Sequence, residues 1–131
     1  MAGSAVVKQR FLRVGDDLAD DVTIVVRGGT LDRELLRQDA LRNHAVYATF
    51  GISVFAARDL TVDELAQQAP LIRFEQLTLM SAGALRASGL RLEATGRNPL
   101  HFDIGFDDVE DGISRLISCE HRTITNPYHE Q

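Results

Sequence analysis

Five consecutive residues, Val22-Thr23-Ile24-Val25-Val26, branch at Cβ, and this run constrains the chain more than any other segment. β-Branched side chains lose rotamer freedom in a helix and pack well on a pleated sheet. A continuous run of them, without polar alternation, suits a central strand buried on both faces. It ends at Arg27-Gly28-Gly29, where two glycines permit positive φ and a sharp turn.

The remaining elements follow from period and punctuation. Thr30 can cap a helix running to about Tyr47, with Leu31, Leu35, Leu36, Ala40 and Val46 on its packed side, and Gly51 stopping it. Ile52 to Ala56 reads as a second buried strand. Thr61 and Glu64 form a capping box before a short helix that Pro70 ends. Phe74 to Met80 alternates as a third strand. Ser81 can cap a helix over Ala82 to Ser88, closed at Gly89. Leu90 to Ala94 and Leu100 to Ile104 form a hairpin across Gly96-Arg97-Asn98-Pro99. A last helix spans about Asp108 to Cys119, with Ile113, Leu116 and Ile117 inward.

At the N-terminus Val7 and Phe11 alternate with Lys8 and Arg10, which predicts a strand over Ala5 to Val14, followed by an acidic turn from Gly15 to Asp21. The order predicts a single α+β domain over residues 1–131, with residues 1–21 as N-terminal strand and acidic turn. Residues 120–131 form an extended C-terminal tail. The sheet is expected to be mixed, of about five to six strands packed by three to four helices, with a late β-hairpin.

Composition narrows the function classes. The 131 residues are 44% hydrophobic and 25% charged, enough apolar material for one core. A net charge of −5 opposes an extended electrostatic footprint for nucleic acid, so no DNA binding is expected. From Val22 to Phe102, however, nine Arg stand against eight Asp and Glu, which leaves room for a locally basic site for RNA or a nucleotide. Lone Cys119 cannot form an intramolecular disulfide, which fits a reducing compartment. The sequence has no long apolar run, so neither a signal peptide nor a membrane span is expected, and a cytoplasmic location follows.

Arg27-Gly28-Gly29 carries the most suggestive chemistry. At the end of a buried strand that feeds a helix, two glycines let the backbone approach a phosphate and the helix offers its free amides from Thr30 to Arg33. Arg27 would add a positive fork. The phosphate-binding set is therefore Arg27, Gly28, Gly29 and Thr30, although the Gly-Lys-Ser/Thr ending of a P-loop is missing. An ordinary tight turn after a strand-ending arginine is the plain alternative.

Histidine titrates near working pH, and His44, with Tyr47 one turn later, and His101 on a strand are the candidate catalytic residues. Together with Arg27 they would make a metal-free ribonuclease. His121 and His129 have no partner at ligand spacing, and the acids from Asp107 to Asp111 miss the alternate spacing of a calcium loop. No metal or cofactor is expected. No serine lies in a Gly-x-Ser-x-Gly elbow.

Through Val25-Val-Arg27-Gly-Gly29, Gly51-Ile-Ser-Val-Phe-Ala56 and Asn126-Pro-Tyr-His-Glu130, the chain resembles small proteins of high-GC actinobacteria. The resemblance brings no activity and no site residues. The ordered set Arg27-Gly28, Phe50-Gly-Ile-Ser53 and Glu93 also looks like the pattern of ADP-ribosyltransferase domains, with Ser53-Val54-Phe55 in place of that family's Ser-Thr-Ser. Two main readings follow. One is a small catalytic domain acting on a phosphate-bearing substrate, toxin-like and controlled by a protein partner. The other is a non-catalytic interaction module, an antidote or adaptor, with a protein partner or second copy docking on an apolar patch near the tail.

Overall fold

The computed structural model describes residues 7–130. The chain runs β1 (Val25–Gly28), α1 (Arg33–Tyr47), β2 (Phe50–Ala56), α2 (Val62–Ala66), a 3₁₀ turn (Leu71–Arg73), β3 (Gln76–Met80), α3 (Ala82–Ala87), β4 (Arg91–Ala94), β5 (His101–Phe106), α4 (Val109–Ser118) and β6 (Arg122–Thr125). The strands form one six-stranded sheet in the order β4-β5-β2-β1-β3-β6. This is a single α+β domain with the expected late hairpin, β4 to β5. The mixed sheet expected from the βα order is antiparallel at every pairing. The chain leaves β1 and enters β2 at the same end of the sheet, so the connection through α1 reverses the strand direction instead of making a parallel crossover.

Side-chain alternation divides the interior in two. Val25, Ile52, Val54, Ala56, Phe102, Ile104 and Phe106 face one side, where Leu36 and Ala40 of α1, Ala82 and Leu85 of α3, and Ile113 and Leu116 of α4 cover them. Val26, Phe55 and Leu77 face the other side, under Leu65 and Ala66 of α2 and Leu71 of the 3₁₀ turn. β1 is central and covered on both faces, as its β-branched residues require; Val25 and Val26 are both fully buried. The strand itself begins late, at Val25. Val22 lies before it, with its carbonyl accepting from Ala82 N–H and its side chain buried in the larger core.

Several local expectations are corrected. α1 is capped by Asp32, whose carboxylate accepts from Leu35 N–H, rather than by Thr30. The helix ends at Ala48, which adopts φ 59° and donates to the His44 carbonyl, rather than at Gly51. Gly51 sits inside β2, where a Cβ would collide with the Asn43 amide. The N-terminal strand is absent among the described residues. Lys8 N–H bonds to Val46 at the end of α1, whereas Arg13 N–H bonds to Ala94 at the end of β4. Residues 8–13 thus span two elements and share only one bridge, Leu12 with Thr95; residues 5 and 6 of the expected strand lie outside the described residues. The tail is extended and mostly exposed, but it is bound to the sheet rather than merely crossing the surface. Arg122–Thr125 forms edge strand β6 on β3, and buried Asn126 donates to the carbonyls of Ala66 and Leu71. The capping box at Thr61 and the cap at Ser81 lie where the sequence puts them, and the last helix starts where expected, capped by Asp108.

Candidate functional site

The sheet is open at one place. β1 pairs with β3 along its whole length, but with β2 only at Val25–Ala56 and Val26–Phe55. Alternate residues of an antiparallel strand turn their N–H and C=O to opposite neighbours. Gly29 N–H bonds to Gln76 beside β3, and Ala56 N–H bonds to Leu100 on the β5 side. By that alternation Gly28 and Ser53 turn their backbone groups toward each other, yet the ladder stops before them. Where the strands part, a hollow of about 640 Å³ opens, lined by Arg27, Gly28, Gly29, Leu35, Gln38, Asp39, Arg42, Ser53, Phe55, Pro70, Phe74 and His101.

Two elements supply its charge. Arg27 is 6% exposed, with Nη1 2.7 Å from Asp39 Oδ2 and Nε donating to the Thr30 carbonyl at 3.3 Å. Arg42, one turn along α1, meets the other oxygen of Asp39 at 2.9 Å. Two guanidinium groups thus share one carboxylate, and the rim keeps one net positive charge. The apolar wall comes from Phe55, Phe74, Leu35 and Pro70.

The opposite wall is a chain of polar side chains. His101 Nε2 lies 3.1 Å from Ser53 Oγ, and its Nδ1 lies 2.9 Å from the Thr95 carbonyl oxygen. A carbonyl only accepts, so Nδ1 carries the proton and the Nε2 lone pair faces the Ser53 hydroxyl. Thr95 Oγ donates to Asp103 Oδ2 at 3.0 Å, and Arg10 Nε donates to the same oxygen at 3.0 Å. Asp103 Oδ1 is buried without a hydrogen-bond partner among the described residues, 3.8 Å from His101 Nε2. Burial pushes the His101 pKa below its ordinary value, against the opposing pull of the Thr95 carbonyl and the Asp103 charge. The ring is therefore neutral near pH 7. Arg13 frames it from behind, donating to the carbonyls of Thr95, Gly96, Pro99 and His101.

No family model, curated protein or solved structure matches the chain. The geometry alone therefore carries the functional argument.

Arg27, Gly28, Gly29 and His101 meet at this hollow. Thr30 contributes only its carbonyl, to Arg27, and α1 begins later than expected, at Arg33, with the Asp32 carboxylate accepting from Leu35 N–H. A Cβ at Gly28 would overlap the Phe74 ring, so that glycine makes room for Phe74 and the backbone approach expected for a phosphate is taken by an aromatic ring. Gly29 adopts φ +93°, which accounts for the second glycine. His44 does not join the site. It is exposed and stacks on Phe50 at 4.5 Å, and it does not line the hollow. Tyr47 lines an adjoining hollow that shares Asp39, Arg42, Ser53 and Phe74, and its ring lies under Arg10 at 4.4 Å. Glu93 lines a separate hollow with Asp103 and Arg10, so the order Arg27, Ser53, Glu93 is not one constellation.

Sequence reasoning missed Ser53, Asp103, Thr95 and Arg10 as a network. One signal was present: Ser53 interrupts the otherwise apolar run Ile52 to Ala56, and it is the exposed residue of an otherwise covered strand.

Proposed function

We propose that this domain is a small cytoplasmic catalyst acting on a phosphate-bearing substrate, RNA or a nucleotide, in the hollow between β1 and β2. The observation that carries the reading is that Arg27 and His101, an anion-binding and a proton-transferring group on strands that are not neighbours, line the same hollow. Strand alternation sends Arg27 to the face of Val25 and His101 to the face of Phe55, so the two meet through the gap in the sheet rather than on one face of it. The shared positive charge of Arg27 and Arg42 beside Asp39 receives the phosphate. Phe55 and Phe74 offer apolar surface to a base or sugar. Neutral His101 takes the proton of the attacking hydroxyl and returns it to the leaving oxygen.

The test is turnover of RNA oligonucleotides, cyclic nucleotides and nucleotide esters by the purified chain, resolved by chromatography. His101→Gln is expected to lower kcat/KM by about 10²–10⁴, and Arg27→Gln to raise KM. Failure of the wild-type protein to convert any of these compounds sinks the reading. A toxin-like role adds a cellular expectation: expression arrests growth of a bacterial host, and Arg27→Ala or His101→Ala relieves the arrest at matched soluble levels.

One observation favours the second reading, a protein-interaction module. Val7, Phe11, Leu12 and Val14 are 53%, 46%, 53% and 98% exposed, and all lie on the N-terminal segment rather than near the tail. That reading expects a binding partner whose affinity falls on Leu12→Glu while every phosphate compound stays untouched. If instead the catalyst is partner-controlled, the same surface is where an inhibitor docks.

A further inference from the structure

Ser53 differs from every neighbour on β2. The strand is flanked by β5 and β1 and is otherwise covered, yet Ser53 is exposed to solvent and lines the hollow. A surface serine gains little from a hydrogen bond that water could equally make. This one is held 3.1 Å from a histidine whose other nitrogen is locked as a donor by the Thr95 carbonyl at 2.9 Å. Nucleophile, base and orienting group are thus in sequence, the arrangement that activates a serine hydroxyl. The orphaned Asp103 Oδ1, 3.8 Å from Nε2, is placed to stabilise the imidazolium that forms when His101 takes the proton.

We propose that Ser53 is a nucleophile, activated by His101, that forms a covalent phosphoseryl intermediate with a phosphate ester held in the hollow. The choice of phosphorus as the electrophile rests on the functional reading above. Ser53 Oγ attacks phosphorus as its proton passes to His101 Nε2. The bond from phosphorus to the leaving oxygen breaks, and that oxygen takes the proton from Nε2. Water then attacks the phosphoseryl group, giving its proton to His101. Ser53 Oγ departs and recovers a proton from the same nitrogen. Atoms and charge balance with water as the only co-reactant. Arg27 and Arg42, which share Asp39 at the rim of the hollow, hold the non-bridging oxygens.

Two probes test this with the whole chain. Diisopropyl fluorophosphate, which transfers its phosphoryl group to an activated serine with loss of fluoride, is expected to give a single adduct mapped to Ser53 by peptide mass spectrometry. Ser53→Ala abolishes it, and His101→Gln slows it by at least about 100-fold. Ser81, Ser88 and Ser114 remain unmodified as internal controls. Ser53→Ala removes an exposed hydroxyl, so its thermal midpoint stays close to wild type and loss of labelling reads chemistry rather than unfolding. The second probe is a nucleoside 5′-(p-nitrophenyl phosphate), for which a burst of one nitrophenolate per active chain is expected. An absent adduct, or labelling equally fast in His101→Gln, overturns the proposal. Phosphate-ester turnover that survives in Ser53→Ala also overturns it, and leaves the phosphate reading standing with His101 acting on water or a substrate hydroxyl. His101-dependent labelling of Ser53 with no phosphate ester turned over upholds the activated serine and overturns the phosphorus electrophile and the reading on which it rests.

Discussion

Arg10→Ala tests whether the N-terminal segment holds the site together. Arg10 Nη2 lies 2.8 Å from Asp103 Oδ2, its Nε donates to the same oxygen at 3.0 Å, and Nη2 reaches Thr95 Oγ at 3.2 Å. The Asp103 side chain is 6% exposed and that of Arg10 is 19%. Truncating Arg10 leaves a buried carboxylate with one hydrogen bond, from Thr95, and one oxygen already without a partner. Breaking a buried ion pair costs about 3–5 kcal/mol, chiefly through the charge left behind. Arg10 is partly wetted and its removal admits water, so the lower end applies, about 3 kcal/mol. With an unfolding entropy of about 2.1 cal/mol/K per residue over this chain, that lowers Tm by about 11 °C.

The assay is thermal unfolding followed by circular dichroism at pH 7.5, with Arg10→Lys, Asp103→Asn and the double variant Arg10→Ala/Asp103→Asn alongside. Lysine keeps the charge but loses the fork and the stacking over Tyr47, and should fall between wild type and alanine. The double variant should recover much of the loss of Arg10→Ala, because no uncompensated charge remains. A fall below about 3 °C for Arg10→Ala, or strict additivity in the double variant, refutes the reasoning. The segment would then be an ornament on the sheet rather than the anchor of Asp103.

Three further outcomes are expected. Gly112→Ala improves intrinsic helix propensity by about 1 kcal/mol, but its Cβ would overlap the buried Phe106 ring, and overpacking of about 1–3 kcal/mol outweighs the gain; urea unfolding should show a net loss, and a stabilised variant contradicts the packing described. Asp32→Ala should cost about 1 kcal/mol through loss of the α1 cap, whereas Thr30→Ala, which keeps the carbonyl that Arg27 uses, stays within about 0.5 kcal/mol; equal losses would return the cap to Thr30. The His101 pKa is lowered from 6.5 by burial, so as pH falls past that value the unfolded chain takes up the proton first. Stability from this group is full above pH 6.5 and declines below it, down through the folded pKa. The Tm difference between wild type and His101→Gln should therefore shift against wild type between pH 7.5 and 5.5, and a constant difference refutes the burial argument.

Much of the fold was legible because it rests on local signals. Thr61 with Glu64, Ser81, Gly89 and the turn from Gly96 to Pro99 each solve a backbone problem within a few residues, and each marks its element in the structure. The failures share a cause as well. Thr30 and Asp32 are both good caps, and only the path of the chain out of Gly29, with Arg27 claiming the Thr30 carbonyl, decides for Asp32. Residues 8–13 alternate like a strand, but a strand needs a continuous partner, and α1 and β4 each supply only a short edge. Whether a segment finds a partner is a tertiary fact that alternation does not contain.

The site was half legible for the same reason. Arg27 stood out because a charge at the end of a buried run demands an explanation, and Asp39 now supplies part of it. His101 stood out as a titratable group on a strand. What joined them could not be read, because it is a missing pairing: Gly28 and Ser53 would meet had the β1–β2 ladder gone two pairs further. A gap in the middle of a sheet leaves backbone groups without strand partners, a cost that evolution tolerates where those groups are used. Phe74 covers one side of that gap. Its ring occupies the space where a side chain at position 28 would stand, and it lines the hollow together with Gly28 and Ser53, so Gly28 and Phe74 act as one unit. Substituting Phe74 with alanine should therefore uncover Gly28 to water, and faster amide hydrogen exchange at Gly28 in that variant is the expected sign; an unchanged rate would mean that the ring shields nothing there.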